Sequence, residues 1–261
     1  MPRLLCFLFM VGVSFDALSQ QNLFNVPSSD ITLKAHPFFQ QQFNFGNGML
    51  QSNTTFSWGL GGEAEVGFNI LGVSFQSGQL LTNTYKKNPP VYPFYTLNFQ
   101  KAFTLNKTFK LAVGTQSGYS QGFHFGGYAY SNLVTVIPKI QSKLITGLYY
   151  GSDGFLGPGD RNPLFPSESD PIGFQIGLEQ EVIKEKLVLL AEGISGKHAY
   201  GLIALGMAYH VTHHWVLSGG YQFSNQGSSS ANSLVIEFTY IPSATVTKHI
   251  FRRGHHEATE E

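Results

Sequence analysis

The sequence predicts an all-β chain, a transmembrane antiparallel up-and-down β-barrel of about 12 strands. Three observations predict it. The chain opens on a secretory leader, the rest holds no apolar run long enough for a membrane helix, and apolar residues alternate with polar ones repeatedly.

The leader comes first. Arg3 gives a positive start, Leu4 to Phe15 is almost unbroken apolar sequence, and Ala17-Leu18-Ser19 places small residues where a signal peptidase reads them. This is the layout of a cleaved signal peptide over residues 1–19, too short to cross a bilayer as a helix. Its loss removes Cys6, the only cysteine, so the mature chain is expected to have no disulfide, thiol nucleophile or cysteine-held metal. Charged residues make up 12% of the sequence, aromatics 14%, and Gly numbers 29, which suits β-structure better than a solvated helical domain. The net charge is zero, so no basic face offers itself to nucleic acid. A chain of this kind can enter lipid only as a closed barrel, because open sheet edges leave backbone groups unsatisfied there.

Residues 20–35 read as a polar lead-in, a periplasmic N-terminal arm. The barrel then runs over 36–241, with strands expected near 36–45, 54–68, 72–84, 92–104, 108–118, 122–137, 140–151, 171–183, 186–196, 199–211, 214–224 and 231–241. From Phe56 to Asn69 one face carries Phe56, Trp58, Leu60, Ala64, Val66 and Phe68, and the other Ser57, Gly59, Glu63, Glu65 and Asn69. A helix would scatter those carboxylates and pay about 1 kcal/mol for each glycine. Tyr95, Leu97, Phe99 and Phe103 oppose Thr96, Asn98 and Gln100; Phe109, Leu111 and Val113 oppose Lys110, Ala112, Gly114 and Gln116. Ile172, Phe174, Ile176 and Leu178 oppose Gln175, Glu179 and Glu181, and the strands from Trp215 and Leu234 repeat the pattern. Near 123–136, 140–151 and 187–196 both faces carry apolar residues.

The expected connections alternate in character. Asn69-Ile70-Leu71, Leu105-Asn106-Lys107, Pro138-Lys139, Lys184-Glu185 and Thr212-His213 are short; 46–53, 85–91, 152–170, 196–198 and 225–230 are on average longer and richer in Gly, Pro and Ser. Short turns on one side and longer loops on the other place both barrel ends at the periplasmic face. Residues 152–170 have no strand period and could fold into the lumen or cover the outside. Residues 242–261 read as a charged periplasmic C-terminal tail. A soluble β-sandwich competes, but aromatics near strand ends (Trp58, Tyr95, Phe103, Trp215, Tyr221, Phe223, Tyr240) resemble interface girdles.

On this pattern the lumen is lined by Gln40, Gln42, Asn44, Glu63, Glu65, Asn98, Gln100, Lys110, Gln116, Lys143, Gln175, Glu179, Glu181, Glu192, Gln222 and Glu237. Such groups could be a hydrogen-bonded filling, or could line a hydrated passage with a mild preference for cations or neutral polar solutes. About twelve strands lie between barrels filled by side chains and barrels enclosing a water channel, so a narrow pore, a ligand-lined conduit and a plugged barrel all stay open. A metallohydrolase would want His-Glu-x-x-His, which is absent, and neither a cofactor nor a metal site is expected. His213-His214 and His255-His256 read as solvated surface.

Gly206-Met207-Ala208-Tyr209-His210-Val211, Trp215 to Phe223 and Leu234 to Tyr240 resemble the closing strands of bacterial outer-membrane barrels grouped as transporters, including the family named after phenol-degradation meta-pathway gene clusters. By architecture the likeness covers 36–241. It implies the bacterial outer membrane, with membrane lipid and the barrel-assembly machinery as partners and small solutes, hydrophobic ones among them, as cargo. The shared motifs are hydrophobic patterns, so no binding residue carries across. Such barrels often end on an aromatic residue read by the assembly machinery, whereas here Tyr240 is followed by residues 241–261. The expected function is a passive conduit; a structural or adhesive barrel displaying 152–170 is the alternative, and an outer-membrane hydrolase the lesser one.

Overall fold

The computed structural model describes residues 21–46, 48–76, 79–81, 93–120, 124–157, 171–226, 228 and 230–242. Its strands are β1 Pro37–Gly46, β2 Met49–Gly61, β3 Ala64–Gln76, β4 Gln79–Leu81, β5 Phe94–Thr104, β6 Phe109–Ser120, β7 Phe125–Ile137, β8 Ser142–Gly151, β9 Ile172–Ile183, β10 Leu187–Ile194, β11 Leu202–His210, β12 Trp215–Ser224 and β13 Ser233–Tyr240. Each pairs antiparallel with its chain neighbours, β1 pairs with β13, and β3 bypasses the short β4 to pair with β5. The result is a closed barrel of 12 strands, with β4 a hairpin extension outside the ring.

The two faces of the sheet explain why these segments are strands. Outward positions carry a continuous apolar coat in which Leu97, Leu148 and Phe174 are 66%, 63% and 61% exposed. A soluble sandwich would bury such a face, because a water-exposed apolar band of this extent drives association. In lipid it is the favourable arrangement, and backbone pairing around the ring leaves no strand edge to satisfy.

One hairpin departs from the sequence expectation. Residues 54–68 do not form one strand, and Asn69-Ile70-Leu71 is not a turn; the chain reverses at Gly62-Glu63 instead. Gly61, Gly62 and Glu63 have φ of 86°, 59° and 57°, the left-handed geometry of a tight hairpin turn next to a bulge. The register explains the misreading. Trp58 pairs with Val66 and Gly59 with Glu65, so even positions face even and odd face odd. The alternation therefore crosses the turn without changing phase, and a period-two pattern cannot detect the reversal. β2 accordingly starts at Met49, which turns the expected loop 46–53 into a short connection and brings Asn53 into the wall.

One end of the barrel carries the turns 62–63, 105–108, 138–141, 184–186 and 211–214 together with Pro37 and Tyr240. The opposite end carries the connection 195–201 and described residues of the longer connections after β8 and β12, 152–157 and 225–226 among them.

The largest departure concerns residues 20–35. The described part, from Gln21 onward, does not project from the barrel; it runs inside, where Leu23, Phe24, Val26 and Ser28 are buried. Leu23, Phe24 and Val26 join one apolar cluster with inward-facing Val134, Ile145, Leu190, Ile194, Ala204, Ala208, Val216 and Val235. This is why segments near 123–136, 140–151 and 187–196 have apolar residues on both faces. Their outer face belongs to the exposed apolar coat and their inner face meets the plug.

Candidate functional site in the plugged lumen

The plug is a small hairpin followed by an exit strap. The Ser28 N–H donates to the Gln21 carbonyl at 2.7 Å and the Leu23 N–H to the Val26 carbonyl at 3.0 Å, with Asn22 bridging to Pro27. At its tip, three consecutive backbone N–H groups converge on the buried carboxylate of Glu192 on β10. Phe24 donates at 3.1 Å, Asn25 at 3.0 Å and Val26 at 2.9 Å, and the Asn25 side chain adds a fourth bond at 2.7 Å. Successive N–H groups in a turn form a concave anion nest, and a carboxylate is the matching charge.

The Phe24 ring lies against a slot made by Gly206 and Gly220, cross-strand partners on β11 and β12. A Cβ at either glycine would come within 2.7 Å and 2.9 Å of the ring tip. No other residue type admits the ring this close to the wall.

Below the tip, wall side chains seize the backbone. Asn132 donates to the Pro27 carbonyl and Gln100 to the Ser28 carbonyl, both at 2.7 Å. Lys143 pairs with Asp30 at 2.7 Å and with Glu179 at 3.4 Å. Glu65 accepts from the Thr32 N–H at 2.7 Å and from the Gln21 side chain at 2.5 Å, and Gln21 also donates to the Thr32 hydroxyl. The strap leaves past Gly59, whose carbonyl accepts from the Ala35 N–H at 2.8 Å.

The plug fills only part of the lumen. Between it and the wall lies a chamber of about 130 Å3, partly open to solvent and lined by the amides Gln40, Gln42, Asn53, Asn69, Asn98 and Gln116 together with the rings of Phe24, Tyr128, Tyr130 and Phe155. Wall amides here are chained together: Asn98 donates to Asn69 at 2.8 Å, and Asn69 donates to Gln116 at 2.9 Å and to the Thr96 hydroxyl at 3.0 Å. A second space, about 370 Å3, opens at the short-turn end beside Asp30, Lys34 and Lys110. Gln21 lines both, and its amide, tied to Thr32 and Glu65, stands between them.

The long-loop end is capped from the start of the connection 152–171. Helix α1, Asp153–Leu156, turns inward with Phe155 and Leu156 buried. Phe155 stacks on Tyr128 at 5.3 Å and on Tyr200 at 4.9 Å between ring centroids. Of the two courses open to 152–170, residues 152–157 take the lumenal one, and 158–170 lie outside the described residues.

The remaining sequence-predicted positions separate by depth. Gln175 is locked, accepting from the Tyr128 hydroxyl at 2.9 Å and donating to Asn132 at 2.6 Å. Glu237 is fully buried and accepts from Thr239 at 3.2 Å. Asn44 accepts from Gln42 at 3.1 Å, and buried Gln222 donates to the Ala231 carbonyl at 3.4 Å. Lys110 and Glu181 are half-buried towards the short-turn end, where Glu181 accepts from the Glu185 N–H. Glu63 does not line the chamber; it borders the space at the short-turn mouth. It sits exposed in the β2–β3 turn, accepting from the Thr104 hydroxyl at 2.7 Å, because the turn removes it from the wall.

Sequence reasoning missed Asn53, Asn69 and Asn132, along with every contact made by the plug. Leu23-Phe24 and Val26 inside a polar lead-in were the available signal. It also passed over Gly118-Tyr119-Ser120-Gln121-Gly122, which has nucleophile-elbow spacing. Ser120 ends strand β6 paired with Phe94, and its hydroxyl donates to the His124 carbonyl at 3.4 Å, so it stands on a paired strand instead of a strand-to-helix turn. Buried His198 has both ring nitrogens engaged, Nε2 with the Tyr149 hydroxyl at 2.6 Å and Nδ1 with the Tyr200 N–H at 3.2 Å. Among the described residues no group of three or more His, Cys, Asp or Glu side chains could hold a metal ion.

No protein family and no curated protein matches the chain. Among solved structures it is similar to the NanC porin, with 8% identity over 79% of this chain and 100% of that one and a TM-score of 0.52. The translocator domain of autotransporter NalP from Neisseria meningitidis gives 12% identity over 78% and 86%, TM-score 0.43. The outer membrane channel DcaP of Acinetobacter baumannii gives 10% over 78% and 71%, TM-score 0.32. At such identity the likeness to the porin shows the fold alone, and that fold is the one outer-membrane β-barrels share.

Proposed function

We propose that the protein is an outer-membrane conduit for small polar solutes, narrowed by its own N-terminal segment. The observation that carries this reading is the carboxamide-lined chamber that the plug leaves unfilled. The exposed apolar coat supports insertion in lipid, and the leader over residues 1–19 supports export, with the short-turn end and the tail 242–261 on the periplasmic side. Barrel-assembly machinery would then be a partner during insertion. The resemblance to phenol-degradation transporters suggested hydrophobic cargo, but the chamber speaks for polar cargo. An apolar solute would strip water from wall amides without replacing its hydrogen bonds, at about 1–3 kcal/mol for each group left unsatisfied.

Planar-bilayer recording of the chain beginning at Gln20 tests the reading. A small ohmic conductance is expected from the intact protein, rising several-fold when residues 20–33 are deleted. A folded barrel that passes no current in either form would overturn it.

A further inference from the structure

We propose that the chamber beside the plug is a binding site for uncharged, hydroxyl-rich solutes, the chemical class of neutral sugars and polyols. The proposal deepens the conduit reading and rests on it for the biological role of the site, though the binding itself can be measured without any conduction.

The charge of the lining narrows the choice first. Among the described residues lining the chamber there is no Lys, Arg or His, so an anion meets no counter-charge. The single carboxylate is Glu65, whose Oε2 already accepts two bonds from the plug, from the Thr32 N–H and the Gln21 amide. A cation would have to compete for those bonds. What remains is neutral: the carboxamides Gln40, Gln42 and Asn53 on β1 and β2 and Asn69, Asn98 and Gln116 on β3, β5 and β6, beside the rings of Tyr128, Tyr130 and Phe155.

Bonding capacity narrows it further. A carboxamide offers two donors and a carbonyl acceptor, and a hydroxyl both donates and accepts. A wall of amides therefore matches a ligand with many hydroxyls better than one with a single kind of polar group. The chain from Asn98 through Asn69 to Gln116 fixes the orientation of the amides before any solute arrives, which lowers the ordering cost of binding. A site built to hydrogen-bond hydroxyls discriminates strongly against solutes that lack them, since its buried polar groups are then left unpaired. The chamber, about 130 Å3 and open on one side to solvent, admits a small solute whose remainder extends towards the mouth.

Isothermal titration calorimetry on the whole mature protein, folded in detergent, tests this with maltose, sucrose, raffinose and myo-inositol against glucuronate, glucosamine and phenol. Saturable binding of at least one neutral polyol is expected, with no saturable binding of the other three probes. Asn69→Leu combined with Gln116→Leu should weaken that binding at least tenfold, and Gln42→Leu is the second variant if the pair fails to show heat-modifiable migration of a folded barrel. Saturable binding of glucuronate, glucosamine or phenol in place of the polyols overturns the proposal, as does binding of no probe, or polyol binding that the substitutions leave unchanged. A polyol that binds to a barrel passing no current would instead defeat the conduit reading and leave the site standing.

Discussion

Glu192 shows how much one side chain can determine in a barrel of this width. Its carboxylate satisfies three consecutive backbone N–H groups of the plug tip, groups with no partner in their own hairpin. A hydrogen bond to a charged group contributes about 1.5–3 kcal/mol, and removing the acceptor leaves buried donors unsatisfied. Glu192→Ala is expected to weaken plug seating by about 2 kcal/mol, close to thirtyfold in its open population. Hydrogen exchange at Leu23 to Val26 should accelerate by that factor, while exchange in β5 and β6 stays unchanged. Phe24 acts alongside through packing, because Gly206 and Gly220 give its ring a place against the wall that a side chain would occupy. Both contacts were out of reach of sequence reading. The sequence put Glu192 among the lumen residues, but its partners are backbone atoms more than a hundred and sixty positions away.

Among the elements, the β2–β3 hairpin carries the clearest lesson. Its turn is local chemistry: Gly62 at φ 59° and Glu63 at φ 57° supply the geometry that matches strand twist. Gly62→Val forces a β-branched residue into the left-handed region, at a cost of about 1–2 kcal/mol. Urea unfolding of the detergent-folded protein should register that loss as a lower midpoint. The same substitution at Gly127, which lies in strand β7 outside the left-handed region, should cost less. The Gly61-Gly62 dipeptide marked the turn in the sequence, but the unbroken alternation from Phe56 to Asn69 outweighed it. The plug was misread for a related reason. A segment of mixed polarity has no period to analyse, and its destination depends on the strands that receive it.

At the scale of the whole molecule, the barrel sorts its surfaces by solvent. The outer coat is apolar, one part of the lumen packs against the apolar plug, and another part carries amides around a chamber. A charge placed on the lipid face near mid-strand should therefore resist insertion. Leu97 is central in β5, paired with Ser117 and Phe68, and points outward. Leu97→Arg is expected to destabilise the folded barrel in liposomes by about 2–4 kcal/mol, read from equilibrium urea titrations. An unaltered midpoint would mean that Leu97 does not meet lipid. The Lys143 ion pairs tie a strap residue, Asp30, to a wall residue, Glu179.

The sequence by itself determined the class of fold and the two-faced alternation of most strands, but not the faces of the segments near 123–136, 140–151 and 187–196. What it determined follows from a local rule, the alternation of side chains along an extended chain, and that rule needs no knowledge of distant partners. Tertiary structure alone decided where the β2–β3 reversal falls and that residues from Gln21 onward return into the barrel. Only the closed barrel revealed which amides are bound to the plug and which face open space. Those are long-range outcomes, set by which surfaces meet once the barrel closes, and period-two alternation carries no information about them.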